Sequence, residues 1–220
     1  MKTAERILVT SLALFNQHGE ANVSSVDIAL ELDISPGNLY YHFKGKEVIV
    51  SALYELYSEQ MSKLLRAADR HPLSLEDFFY FLYLLLEKGQ LFQFLFHNPA
   101  DLLDKYPALA KPFRQQLAQQ ERCILGLLEG FAAQGQLDVS RAQCQQMMEL
   151  IGLVYTQSAS YAALKGQNTQ DEIQVYRALA SILFAILPHM RLPEGELHHL
   201  QDAIAGQSLA VADVWRELEA

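Results

Sequence analysis

Cysteine is nearly absent from this 220-residue chain, with Cys123 and Cys144 the only two. They build no disulfide framework and show no metal-ligand spacing, so both are expected to be small buried hydrophobes on helices. Long apolar runs are missing too. The uncharged stretches Leu150–Leu164 and Ala178–Met190 fall short of the roughly 18 apolar residues a membrane span needs, and the first contains Thr156, Gln157, Ser158 and Ser160. Glu5 and Arg6 interrupt the apolar residues after Met1, so no signal peptide is expected. No repeat or low-complexity tract occurs. Positive charge is also scarce, with 17 Lys and Arg against 26 Asp and Glu, a net charge of −9. That balance excludes broad, non-specific attraction to nucleic acid. Enzyme signatures are lacking: there is no His-Glu-x-x-His, no Gly-x-Ser-x-Gly, no phosphate-cradling glycine loop and no telling Cys-His pair. His198-His199, near Glu194 and Glu196, reads as a solvated face, because adjacent histidines point apart on a helix. The expectation is a cytoplasmic, non-enzymatic protein with no membrane contact, no metal and no cofactor.

What is present is helix. Half of the residues are hydrophobic, enough for one globular domain or a domain of roughly 150 residues plus a small module. Ile7, Leu8, Leu12 and Phe15 recur at helical spacing before Gly19, which suits a helix C-terminus. Val26, Ile28, Ala29 and Leu32 make a second, short helix; Ser24 caps it, and Asp27 three residues on completes a capping box. Ser35-Pro36 opens a third, with serine as N-cap and proline at the first helical position. A longer helix follows from about 46 to 68 and stops near His71-Pro72. Further helical patterns cover about 74–97, 99–105, 107–134, 140–165 and 170–190, and one or two short helices are expected in the tail with Pro193, Gly195, Gly206 and Trp215. No segment alternates at period two. The fold class is all-α, with no sheet.

The segment from Ser24 to Lys46 carries the most information. Two short helices separated by Asp33-Ile34-Ser35 describe a helix-turn-helix. Ala29 is small where the helices cross, and Ile34 plugs the turn into the core. The second of these helices opens with Gly37 and Asn38, small or polar residues that suit an N-terminus entering the major groove. Leu39 and Phe43, four apart, share its buried face, while Tyr40 and Tyr41 face outward.

This stretch resembles the TetR family of bacterial transcription regulators, through Ser24-Ser25-Val26-Asp27-Ile28-Ala29 and then Ile34-Ser35-Pro36-Gly37-Asn38-Leu39-Tyr40-Tyr41-His42-Phe43-Lys44-Gly45-Lys46-Glu47. The motif covers about residues 3–60. Within the family the likeness is to regulators of polyhydroxyalkanoate metabolism. The resemblance implies an N-terminal three-helix helix-turn-helix DNA-binding module, residues 1–46, and a helical-bundle domain for ligand binding and dimerisation, residues 47–220. The function implied is a ligand-responsive repressor bound to palindromic, double-stranded operator DNA as a homodimer. Two departures stand out. Asp33 replaces the turn glycine usual in the family, although aspartate tolerates the left-handed conformation better than most residues. No basic arm precedes the first helix, so minor-groove reading by an N-terminal tail is not expected.

Contact roles follow residue by residue. Ser24, Ser25 and Ser35 combine capping with hydroxyls available to phosphate; Pro36 and Gly37 allow close approach. Asn38 is the candidate for reading a base, because its carboxamide matches adenine's edge. Tyr40, Tyr41 and His42 are donors suited to the backbone. Lys46 adds its charge to the amides at the start of the fourth helix, where a phosphate is expected to sit.

The remaining chain reads as dimerisation and effector binding. Leu179, Ile182, Leu183 and Ile186 form one apolar stripe and Leu150, Ile151, Val154 and Ser158 another, expected to pair with their mates in a four-helix interface. The run Phe78-Phe79-Tyr80-Phe81-Leu82-Tyr83 is apolar all round and central. An apolar pocket is expected from Phe79, Tyr83, Phe92, Gln93, Phe96, His97, Arg114, Tyr155, Ser158 and Tyr161, for a small hydrophobic or acyl-type effector. The competing reading is a helical lipid- or acyl-binding carrier without specific DNA binding.

Overall fold

The computed structural model describes residues 3–70 and 72–191. Among them are ten α-helices and no strand; a lone antiparallel bridge joins Leu137 and Met190. The expected tail helices and the His198-His199 pair lie outside the described residues.

Helix α1, Thr3–His18, places Ile7, Ser11 and Phe15 on one buried face at spacings of four. Gly19 ends it at φ +79°, a conformation open to glycine without strain. A 3₁₀ turn, Glu20–Asn22, leads into α2, Ser25–Glu31, and α3, Pro36–His42. Helix α4, Lys46–Arg70, carries Ile49, Val50, Leu53, Tyr57, Met61 and Leu65 into the core at helical spacing.

The single helix expected over 74–97 is two. Helix α5, Leu75–Leu91, stops at a turn over residues 92 and 93, and α6 is the short Phe94–His97. No proline or glycine marks this break; a side chain from α1 holds it, as described below. Helices α7, Pro99–Lys105, and α8, Pro107–Ala133, each begin on proline. Helix α9, Arg141–Leu164, starts on a Ser140–Gln143 capping box, and α10, Ile173–Ile186, packs along it.

The chain divides into two compact units, Met1–Lys63 with Leu91–Gln116, and Leu64–Gln90 with the chain from Leu117 onward. In the second unit, Gly89 of α5 admits the Tyr155 ring of α9 so closely that a Cβ there would lie 2.6 Å from it. Cys144 is wholly buried, as expected, whereas Cys123 is half-buried with its Sγ 3.9 Å from Asp69. Burial first, then the Asp69 carboxylate, pushes the Cys123 thiol up to about 11, so it stays protonated and unreactive at neutral pH.

Candidate nucleic-acid interface

Local chemistry at residues 24–43 is satisfied almost entirely from within. Ser24 Oγ accepts from the Asp27 amide at 3.2 Å, and the Asp27 carboxylate accepts from the Ser24 amide at 2.7 Å, a reciprocal capping box. Ser35 Oγ accepts from the Asn38 amide at 3.1 Å, with Pro36 at the first helical position. The turn between the helices is closed by the Ile34 amide donating to the Ala29 carbonyl at 3.0 Å. Asp33 sits in the left-handed region at φ +53°, where aspartate substitutes for glycine at modest cost. Ala29 is fully buried at the crossing of α2 and α3.

With its ends fixed, α3 is seated by Leu39 and Phe43, both buried. Its other face is open: Gly37, Asn38, Tyr40, Tyr41 and His42 are exposed, Tyr41 at 80%, and the Tyr41 and His42 rings meet edge-on at 5.2 Å. A short helix showing a carboxamide, two phenols and an imidazole offers hydrogen-bond donors and acceptors to a polar surface. Ser25 is half-exposed at the start of α2. Ser24 and Ser35 are engaged as caps, so their oxygens are shared with helix amides.

Lys46 has protein partners. Its ammonium lies 2.7 Å from Glu20 Oε1 and donates to the carbonyls of Glu20 at 2.9 Å and Val23 at 2.7 Å. The Lys46 side chain is 18% exposed and that of Glu20 5%. A phosphate at the start of α4 therefore meets the helix amides first, and reaches the ammonium only by exchange for these bonds. Glu20 is shared further: Lys105 Nζ lies 3.0 Å away and the Tyr106 hydroxyl donates to the same carboxylate. Burial would raise its pKa, but the bonds from Lys46, Tyr106 and Lys105 outweigh burial and hold the carboxyl below the ordinary range. This network ties the loop before α2 to the α7–α8 corner. No local pattern announces it, because Glu20 and Lys105 are 85 residues apart.

The ten residues expected to line an effector pocket fall in both units. In the first, Phe92 meets Tyr57 at 5.7 Å, and Phe96 meets Tyr57 at 5.9 Å and Phe113 at 5.6 Å. Gln93 is buried there, His97 is half-buried, and Arg114 is exposed. In the second, Phe79 is buried against Phe78, and Tyr83 stacks on Tyr176 at 5.5 Å. Tyr155 packs on Gly89. Ser158 and Tyr161 line an open cleft of about 490 Å³ with Leu153, Val154, Lys165 and Arg177. The apolar stripe Leu179, Ile182, Leu183 and Ile186 is internal, each residue 3% exposed or less, as is Ile151. The apolar side chains that α9 and α10 show outward are Leu150, from the second expected stripe, and Leu153, Tyr161, Leu164 and Phe184, which belong to neither stripe.

Among the described residues no helix is long and apolar enough to cross a membrane, and no cluster of His, Cys, Asp and Glu suits a metal ion.

Comparison with known proteins agrees with this geometry. Residues 7–53 match the family model described as bacterial regulatory proteins, tetR family, and residues 56–199 match that of the TetR bacterial transcriptional repressor. The probable HTH-type transcriptional regulator YttP of Bacillus subtilis (strain 168) is 35% identical over 65 residues, 28% of this chain and 31% of that protein. The HTH-type transcriptional regulator AcrR of Shigella flexneri is 33% identical over 63 residues, 29% of each. The chain thus matches less than a third of these curated relatives' length. A TetR-family transcriptional regulator from Marinobacter aquaeolei VT8 has a crystal structure that superposes with a TM-score of 0.78 at 27% identity, over 92% of this chain and 99% of that one. The ketosteroid transcriptional regulator KstR2 of Mycobacterium tuberculosis shares the fold, with a TM-score of 0.65 at 18% identity, over 84% of this chain and 95% of that one. The relatives are transcription regulators, and the chain belongs to the TetR family of bacterial transcription regulators.

Proposed function

We propose that the protein is a ligand-responsive repressor that binds a two-fold symmetric operator as a homodimer. The observation that carries this reading is α3, a helix capped by Ser35, seated by Leu39 and Phe43, and open on the face bearing Gly37, Asn38, Tyr40, Tyr41 and His42. Laid in a major groove, that face puts the Asn38 carboxamide at base edges and the phenols and imidazole at the backbone. Residues 1–46 supply the DNA module in this reading, and residues 47–220 supply dimerisation and effector binding.

The dimer is supported by the outer face of the last two described helices. Leu150, Leu153, Gln157, Tyr161 and Leu164 recur every three or four residues along α9, and Leu164 is 87% exposed. On α10, Phe184 is 71% exposed. A stripe this apolar suits a second copy of the same helices around a two-fold axis. Two recognition helices so related meet half-sites about 34 Å apart.

Charge shapes how the complex forms. Of the basic residues within 1–47 among the described residues, Lys46 is held by Glu20, which leaves Arg6 and Lys44 facing solvent. Side-chain hydrogen-bond donors other than lysine and arginine, together with helix amides, then carry most of the phosphate contacts. Binding should depend weakly on salt, with a slope of log K against log[salt] no steeper than about −4 for a dimer. Gel shift of the gene's own upstream DNA, repeated across salt concentrations, tests the reading. A specific complex with a shallow slope supports it. Absence of any specific complex at moderate salt overturns it in favour of a helical carrier of apolar ligands.

A further inference from the structure

Gln93 has an unusual environment for a carboxamide. It is 2% exposed, and neither its Oε1 nor its Nε2 has a hydrogen-bond partner among the described residues. Gln116, also buried, accepts from Ser58 Oγ at 3.0 Å and leaves its Nε2 unbonded. Folded proteins rarely keep such groups, since water satisfies them in the unfolded chain. Both flank the aromatic group of the first unit. Gln93 adjoins Phe92 and precedes Phe96 by three residues, and Gln116 follows Phe113 by three on α8. Tyr54 stacks on Phe113 at 6.1 Å and closes the chain of rings.

Two titratable groups of this region, Tyr54 and His97, are uncharged at neutral pH. Burial first, then the neighbouring Tyr57, pushes the Tyr54 phenol up to about 12. His97, four residues beyond Gln93, is pushed down by burial alone, with no charged group acting on it. Neither group supplies a counter-charge to offset the desolvation of an anion. An uncharged group with a donor and an acceptor side by side meets a carboxamide with two hydrogen bonds.

The backbone that carries Gln93 is tied to α1. Asn16 Nδ2 donates to the Leu91 carbonyl at 2.8 Å, and the Phe94 amide donates to Asn16 Oδ1 at 3.1 Å. One buried side chain of the helix-turn-helix module thus clamps both ends of the turn that presents Gln93. Displacement of that turn strains the clamp directly.

We propose that the aromatic group takes an uncharged, flat, apolar ligand with an amide or lactam edge that pairs with the Gln93 carboxamide, and that Asn16 passes the response of the 91–94 turn to α1. The inference rests on the ligand-responsive reading above, and refines the hydrophobic or acyl-type effector to a neutral, amide-edged one.

The test uses 2-naphthamide and 2-naphthoate, which share a ring system and differ in charge. Calorimetry on the full chain should show the amide binding at least tenfold more tightly than the carboxylate. Gln93→Leu should weaken the amide at least tenfold. Asn16→Ala should bind the amide within threefold of the parent, yet lose its effect on operator affinity. Should Asn16→Ala not fold, Asn16→Asp, which keeps the acceptor for Phe94 and removes the donor to Leu91, takes its place. Equal affinity for both probes, unchanged binding to Gln93→Leu, or no binding of the amide at millimolar concentration overturns the ligand class. A probe effect on DNA that survives in the Asn16 variant overturns the wiring. If the parent protein binds no operator, the repressor reading falls, while the probe arms still decide what the aromatic group binds.

Discussion

The helix-turn-helix and the aromatic group around Tyr57 treat polar side chains in opposite ways. In the former, Ser24, Asp27 and Ser35 sit at the surface and are bonded to helix amides, while Asn38, Tyr41 and His42 face solvent. In the latter, the Gln93 carboxamide is buried with no bond made among the described residues, and Gln116 is half-bonded. A region whose polar groups are satisfied by their own backbone is stable as it stands. One with unmet buried groups gives up stability that a ligand can restore. In the proposed reading, the difference separates a face that meets DNA from a site that a ligand completes.

Substitutions at the two regions should therefore move stability in opposite directions. The largest effect is expected at the carboxylate that anchors the helix-turn-helix. Glu20→Ala leaves the Lys46 ammonium largely buried without its counter-charge and should cost about 3 kcal/mol in urea unfolding. A loss below about 1 kcal/mol would show the network to be incidental. The same carboxyl has a sign in pH. Its folded pKa lies below the ordinary value of 4.5, so its stabilisation is present above that value and lost as pH falls below it. Glu20→Gln should flatten the acid limb of the stability profile.

Asn16→Ala comes next, at about 2 kcal/mol, because the Leu91 carbonyl and the Phe94 amide both lose their partner. Gln93→Leu carries the opposite sign. An apolar side chain of similar volume removes two unmet polar atoms and should stabilise the free protein by about 1 kcal/mol. A destabilised Gln93→Leu would mean that the carboxamide is bonded in solution and that the contrast between the regions is false. Ser24→Ala, which deletes an N-cap, should cost about 1 kcal/mol.

How much of this was legible in the sequence follows from the range of each interaction. Ser24 with Asp27, Ser35 with Pro36, and Asp33 in the turn act within three residues, and the sequence pattern predicts each of them where the structure has it. The break after Leu91 is invisible in Leu-Phe-Gln-Phe-Leu-Phe, an apolar run without a breaker, because a residue 75 positions earlier holds it. The Glu20 network and the engagement of Lys46 hide for the same reason. On α10, periodicity finds an apolar face but cannot say whether the protomer's own core or a second copy covers it. Burial assigns Leu179, Ile182, Leu183 and Ile186 to the core, and leaves Phe184 outside. The effector side suffers most, since an unmet hydrogen bond has no signature in a one-dimensional string.

The claim on which the rest depends is that the open face of α3 reads bases through Asn38. The direct measurement is the affinity of the parent and Asn38→Ala for a set of single-base operator variants at fixed salt. The account predicts that the parent discriminates at the Asn38 position by roughly 1–3 kcal/mol and that Asn38→Ala loses this preference there alone. A uniform loss of affinity across every variant would contradict it, and would reduce Asn38 to a backbone contact.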